Sequence, residues 1–229
     1  MKRISNLCAK LVLTGLLAVA FSSAANADTV SWTEWTSAGA GVVDGTMSVG
    51  MTSIGVTYSG PYDFAQLNGA GTNYWTNPTI YTGGPVSNPP PNPDIIALGT
   101  GGLKTITFSQ AVENPIIALV SWNGNDVDFG TPITILNFGA GYWGSGTPVL
   151  HGDGNGFFGS GEVHGIIELI GTFNSISFTD TSEGWHGFTV GVTGAAGTVP
   201  EPSSLALLGL GGMGLAFGAY RRRRIASAA

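Results

Sequence analysis

Leu103-Lys104-Thr105-Ile106-Thr107-Phe108-Ser109 and, six residues on, Pro115-Ile116-Ile117-Ala118-Leu119-Val120-Ser121-Trp122 decide the reading of the fold. In the first stretch Ile106 and Phe108 fall on one face and the threonines on the other, the period-two pattern of a strand with one face covered. The second is apolar from Pro115 to Val120, as expected of a strand covered on both faces. Working outward, similar short runs span 30–36, 42–51, 54–59, 95–98, 133–138, 161–170, 175–180 and 187–193. They are rich in Val, Ile, Thr and aromatic residues, and Gly, Asn and Pro punctuate them. No segment between residue 28 and Ser203 shows a helical period capped at both ends. No fixed-period repeat appears, which argues against a propeller or solenoid. The expectation is an all-β domain at 28–193, an antiparallel sandwich of jelly-roll type.

Within this domain Tyr74 to Pro93 forms one long loop. Its second half, Asn88-Pro89-Pro90-Pro91-Asn92-Pro93, reads as extended polyproline-like chain, either a stiff connector between sheets or a binding element.

Charge is distributed unevenly. From Asp28 to Val199 there are thirteen acids and a single base, Lys104, a net charge near −12 that the basic ends reduce to −6 for the whole chain. A surface of that sign repels phosphate backbones, which excludes nucleic-acid binding. Cys8 is the only cysteine and lies in the leader, so the exported part has no disulfide and no thiolate metal site.

The two ends carry their own patterns. Residues 1–27 read as a cleavable signal peptide. Lys2, Arg3 and Lys10 supply the positive region, 11–21 the apolar region, and Ala25-Asn26-Ala27 the small-x-small cleavage pattern. After a short linker at 194–199, Val199-Pro200-Glu201-Pro202 forms a stiff extended break. Ser203 to Tyr220 is uncharged and mostly apolar; as a helix it would span about 27 Å, most of a hydrocarbon core. Arg221-Arg222-Arg223-Arg224 would hold its far end, with residues 225–229, on the cytoplasmic side.

This tail, 200–224, resembles the PEP-CTERM sorting signal of Gram-negative bacteria in its Pro-Glu-Pro triplet, its apolar span and its arginine cluster. The resemblance implies an exosortase as partner, an inner-membrane-anchored precursor, removal of the tail, and delivery to the cell surface or matrix. It also implies an association with exopolysaccharide and biofilm. The central domain resembles no family that the sequence names.

Four constellations in that domain bear on chemistry. There is no Gly-x-Ser-x-Gly elbow for a hydrolase; His151, His164 and His186 remain, and strand alternation puts Glu162 and His164 on one face. Gly139-Ala140-Gly141-Tyr142-Trp143-Gly144 matches a nucleotide fingerprint but leads into no helix. Oxygen-rich turns make Asp126, Asp128, Asp153 and Asn155 candidate calcium ligands, although Asn, Asp and Gly are also what tight turns require. Among the aromatic residues beside polar turns, Trp122 with Asn123 and Trp185 with His186 are the candidate carbohydrate-binding pairs; Trp32, Trp35, Tyr74, Trp75, Tyr142 and Trp143 read mainly as core. The expectation is a non-enzymatic surface or matrix protein associated with exopolysaccharide and biofilm, with no cofactor unless calcium. Two alternatives stay open. One is a polysaccharide-acting enzyme, if Glu162, His164, His151 or Asp153 converge in one cleft. The other is a purely structural or adhesive protein.

Overall fold

A computed structural model describes residues 29–194. The signal peptide, most of the linker and the sorting tail, with their expected helices, lie outside the described residues. Among the described residues no helix is long and apolar enough to cross a membrane.

The strands in chain order are β1 (Ser31–Trp32), β2 (Glu34–Gly39), β3 (Val42–Val49), β4 (Thr52–Ser59), β5 (Phe64–Gln66), β6 (Ile95–Leu98), β7 (Gly102–Glu113) and β8 (Ile116–Trp122). There follow β9 (Asp126–Asp128), β10 (Ile133–Phe138), β11 (Gly146–Leu150), β12 (Gly156–Gly161), β13 (Val163–Leu169), β14 (Thr172–Asp180) and β15 (His186–Val192). They form two antiparallel sheets. One runs β10-β13-β8-β15-β6-β5 with β1 also paired to β15; the other runs β11-β12-β9-β14-β7-β4-β3-β2. Within this sandwich β6 to β9 and β12 to β15 pair in nested order: β6–β15–β8–β13 on one side and β7–β14–β9–β12 on the other. That nesting is the double Greek key of a jelly roll. Because β1 joins β15, the first and last strands are neighbours, and among the described residues every strand finds its sheet partners within 29–194.

Two apolar layers hold it. The larger lies between the sheets and takes Ile106 and Phe108 from β7, Ile117 and Leu119 from β8, Ile167 and Leu169 from β13, and Phe188 and Val190 from β15. The smaller lies on the outer face of the seven-stranded sheet, where Trp75, Ile80, Tyr81 and Val86 of the long loop cover Ile116, Ala118, Val120 and Ile166. That second cover is why β8 is apolar on both sides. The long loop is therefore a packed lid, with one 3-10 turn at Pro78–Tyr81. Asn137 Nδ2 fixes it by donating to the carbonyls of Thr79 and Thr82, at 2.9 and 2.7 Å.

Four strands escape the sequence pattern: β5, β9, β11 and β12. Two are three residues long, and β11 and β12 (Gly-Thr-Pro-Val-Leu and Gly-Phe-Phe-Gly-Ser-Gly) carry turn-type residues. β11 and β12 pair as a hairpin, and β12 pairs onward to β9, so their place in the sheet comes from the neighbouring backbone rather than from local preference.

Candidate functional site

The site grows from a break in alternation. On β8, Ile117 and Leu119 face the inter-sheet core while Ala118 and Val120 face outward. Simple alternation would send Trp122 outward too. The ladder to β13 instead shifts from Leu119↔Gly165 to Trp122↔Val163, three residues against two. The extra residue sits beside Ser121, which adopts a positive φ of 61°. Such a bulge reverses the side-chain phase. Trp122 therefore turns inward and is 1 % exposed, with its Nε1 donating to Gly187 O at 2.9 Å. It cannot serve as a surface platform for a sugar ring. His186 is likewise 0 % exposed, because it shares the inward phase of Phe188 and Val190, and its ring lies 4.4 Å from that of Trp122. Asn123 stays on the surface and Trp185 is half-buried, so the structure separates each expected pair into one inner and one outer member.

Behind Trp122 lies a buried chain of charged groups. Lys104 Nζ contacts Asp180 Oδ1 directly and donates to Thr100 O at 2.8 Å. Asp180 Oδ2 is 2.9 Å from His186 Nε2. His186 Nδ1 is 2.7 Å from Glu183 Oε1. Burial works against the His186 cation, but bonding to Asp180 and Glu183 outweighs it and the net shift is upward. Burial pushes the Glu183 carboxyl up; His186 opposes this and the Glu162 charge adds to it. Toward the surface Glu183 Oε2 accepts from Asn123 N, and Glu162 Oε1 from Asn123 Nδ2, both at 2.8 Å. Ser121 Oγ donates to Glu162 Oε2.

Beside this network, a string of touching rings runs across the outer surface. Phe64 stacks on Trp185 at 6.2 Å. Trp185 meets Tyr74 at 5.0 Å and Trp143 at 6.5 Å, and Tyr142 touches Tyr74 at 5.0 Å and Trp143 at 4.8 Å. Phe64, Tyr142 and Trp143 are 37, 39 and 56 % exposed, whereas Tyr74 and Trp185 pack against the outer apolar layer. Tyr142 and Trp143 form the tip of a tight turn closed by Gly141 N donating to Gly144 O at 2.7 Å. The supposed nucleotide fingerprint is this turn. A methyl at Gly141 would overlap the His164 ring, and one at Gly144 would stand 3.6 Å from Glu162. The turn thus sits over Glu162 and the start of β13 at His164. Of these rings the sequence reading preferred only Trp185. Tyr74, Tyr142 and Trp143 were legible as aromatics beside glycine and asparagine, but nothing local separated them from core aromatics.

The remaining candidates do not assemble. Glu162 and His164 do share a face, but no hydrogen bond joins them, and both ring nitrogens of His164 lack a partner. His151 Nε2 pairs with Asp126 at 2.8 Å, and Asp153 Oδ1 accepts from Asn155 N within its own turn. Asp128 Oδ1 accepts from Gly130 N at 2.7 Å. Among the described residues no three His, Cys, Asp or Glu side chains are grouped to hold a metal.

The comparisons with known proteins bear on the other end of the chain. Residues 198–224 match the PEP-CTERM protein-sorting motif. The match contains Val199, Pro200, Glu201, Pro202 and the four arginines Arg221 to Arg224. It gives the protein an exosortase as processing partner and an extracellular destination at the cell surface. No family model matches the central domain. No curated protein and no solved structure matches the chain.

Proposed function

We propose that this PEP-CTERM protein is a non-enzymatic surface or matrix component that binds exopolysaccharide through the ring string Phe64–Trp185–Tyr74–Tyr142–Trp143. In this reading residues 1–27 export the chain and the apolar span anchors the precursor until the tail is removed. The observation that carries the proposal is the half-seated state of the rings. Tyr74 and Trp185 are fixed from below by the outer apolar layer, and Phe64, Tyr142 and Trp143 offer area to solvent. Rings held before binding lose little entropy when a ligand arrives, and an apolar face bordered by hydrogen-bonding groups suits a sugar ring. Asn123 and Glu162 supply that border. The absence of convergence among Glu162, His164, His151 and Asp153 favours binding over hydrolysis. So do the internal partners already held by both oxygens of Glu162.

The test is retention of residues 28–197 on a panel of bacterial polysaccharides. Trp143→Ala and Trp185→Ala should each weaken retention about two- to tenfold, since one aromatic contact contributes about 0.5–1.5 kcal/mol. Equal retention of parent and both variants, or none by the parent, sinks the proposal.

A further inference from the structure

Lys104 is the only base in the domain, yet it is 0 % exposed, on the same inward face of β7 as Ile106 and Phe108. Asp180 ends the matching inward face of β14, after Ile176 and Phe178. The two strands are antiparallel neighbours, with Lys104 opposite Phe178 and Gly102 opposite Asp180, so the two side chains meet diagonally across the ladder. Both side chains are sealed from solvent. A buried ammonium–carboxylate pair recovers in attraction little more than desolvation costs, and an uncharged link between the same atoms avoids that cost. The second oxygen of Asp180 faces His186 Nε2, and Glu183 stands behind His186 on its other nitrogen. A nucleophilic nitrogen, a carboxyl and an imidazole backed by a second carboxyl are the parts that an acyl transfer to nitrogen requires.

We propose that Lys104 and Asp180 join in an intramolecular amide that covalently staples β7 to β14. Nζ bonds to Cγ of Asp180 and the Cγ–Oδ2 bond breaks. Oδ2 departs as water with two of the three ammonium protons, the third stays on the amide nitrogen, and the charges of the pair cancel. His186 carries protons to the leaving oxygen, and Glu183 balances the imidazolium. No oxidant or cofactor enters. The link stands in for the disulfide that an exported domain without cysteine cannot make, and it does not depend on the sugar-binding reading.

The sequence supplies a direct test, because Lys104 is the only Lys or Arg between Lys10 and Arg221. Purified full-length protein is denatured and digested with trypsin, which does not cut after an acylated lysine. The stapled chain should survive as one large species, lighter than its sequence mass by one water, and a second protease should yield a branched peptide joining Lys104 to Asp180. Lys104→Arg should retain full mass and be cut into two fragments. His186→Gln should leave a larger cleavable fraction than the parent, and an equal fraction would overturn the relay. Complete cleavage of the denatured parent at Lys104, or a water loss that persists in Lys104→Arg, overturns the staple.

Discussion

His164 lies fully buried under the Gly141 backbone, and neither ring nitrogen has a partner. Burial lowers its pKa to about 4, against a small upward pull from Glu162. The sign follows from proton binding. Between about pH 6.5 and 4 the unfolded chain takes up a proton that the folded one refuses, so this histidine's contribution to stability falls on acidification through that window. The difference is worth at most about 3 kcal/mol. Asp94, Glu168 and Glu183, all raised by burial, act in the opposite sense, losing stability as pH rises through their folded values. Comparing parent with His164→Leu by urea unfolding at pH 7 and pH 4.5 separates the two. The variant should gain on the parent by about 2 kcal/mol between those values; a pH-independent difference would show that His164 reaches solvent or a proton acceptor.

At the scale of the element, β12 shows how glycine is used for approach rather than for turning. A methyl at Gly159 would overlap the carbonyl oxygen of Trp122, and one at Gly156 that of Val127. The backbone bonds Gly159 N to Asn125 O and Gly124 N to Gly159 O, each 2.8 Å, need that closeness. Gly159→Ala should therefore destabilise the domain by about 1–3 kcal/mol, the cost of forcing packed backbone apart. Gly152 has open space around it and no positive φ. Gly152→Ala should be neutral or stabilising by up to about 1 kcal/mol. Thermal unfolding of the pair checks this, and equal midpoints would mean that β12 shifts freely. The same hairpin explains why β11 and β12 were not legible as strands. Their glycines look like turn residues in sequence, and only the neighbouring backbone reveals why no side chain fits.

For the whole molecule, the burial of Lys104 against Asp180 leaves the domain surface with carboxylates and no lysine or arginine among the described residues. Self-repulsion of such a surface is relieved by salt. The unfolding midpoint of residues 28–197 should rise by several degrees between about 10 mM and 500 mM sodium chloride. A flat or falling midpoint would refute an electrostatically strained surface. A further rise with calcium at equal ionic strength would mark the Asp126, Asp128, Asp153 and Asn155 turns as a cation site.

By itself the sequence determined the sorting address, the fold class and every strand but β5, β9, β11 and β12. Those depend on order along the chain: a Pro-Glu-Pro break before an apolar span and arginines, and period-two alternation, both of which are local. The tertiary structure alone decided which aromatics reach the surface, because one bulged residue at Ser121 reversed the phase of Trp122, and a ladder shift leaves no local mark. It also decided that the domain's single lysine is buried beside an aspartate 76 positions away, since alternation fixes the face of a side chain but not what lies across the sheet from it.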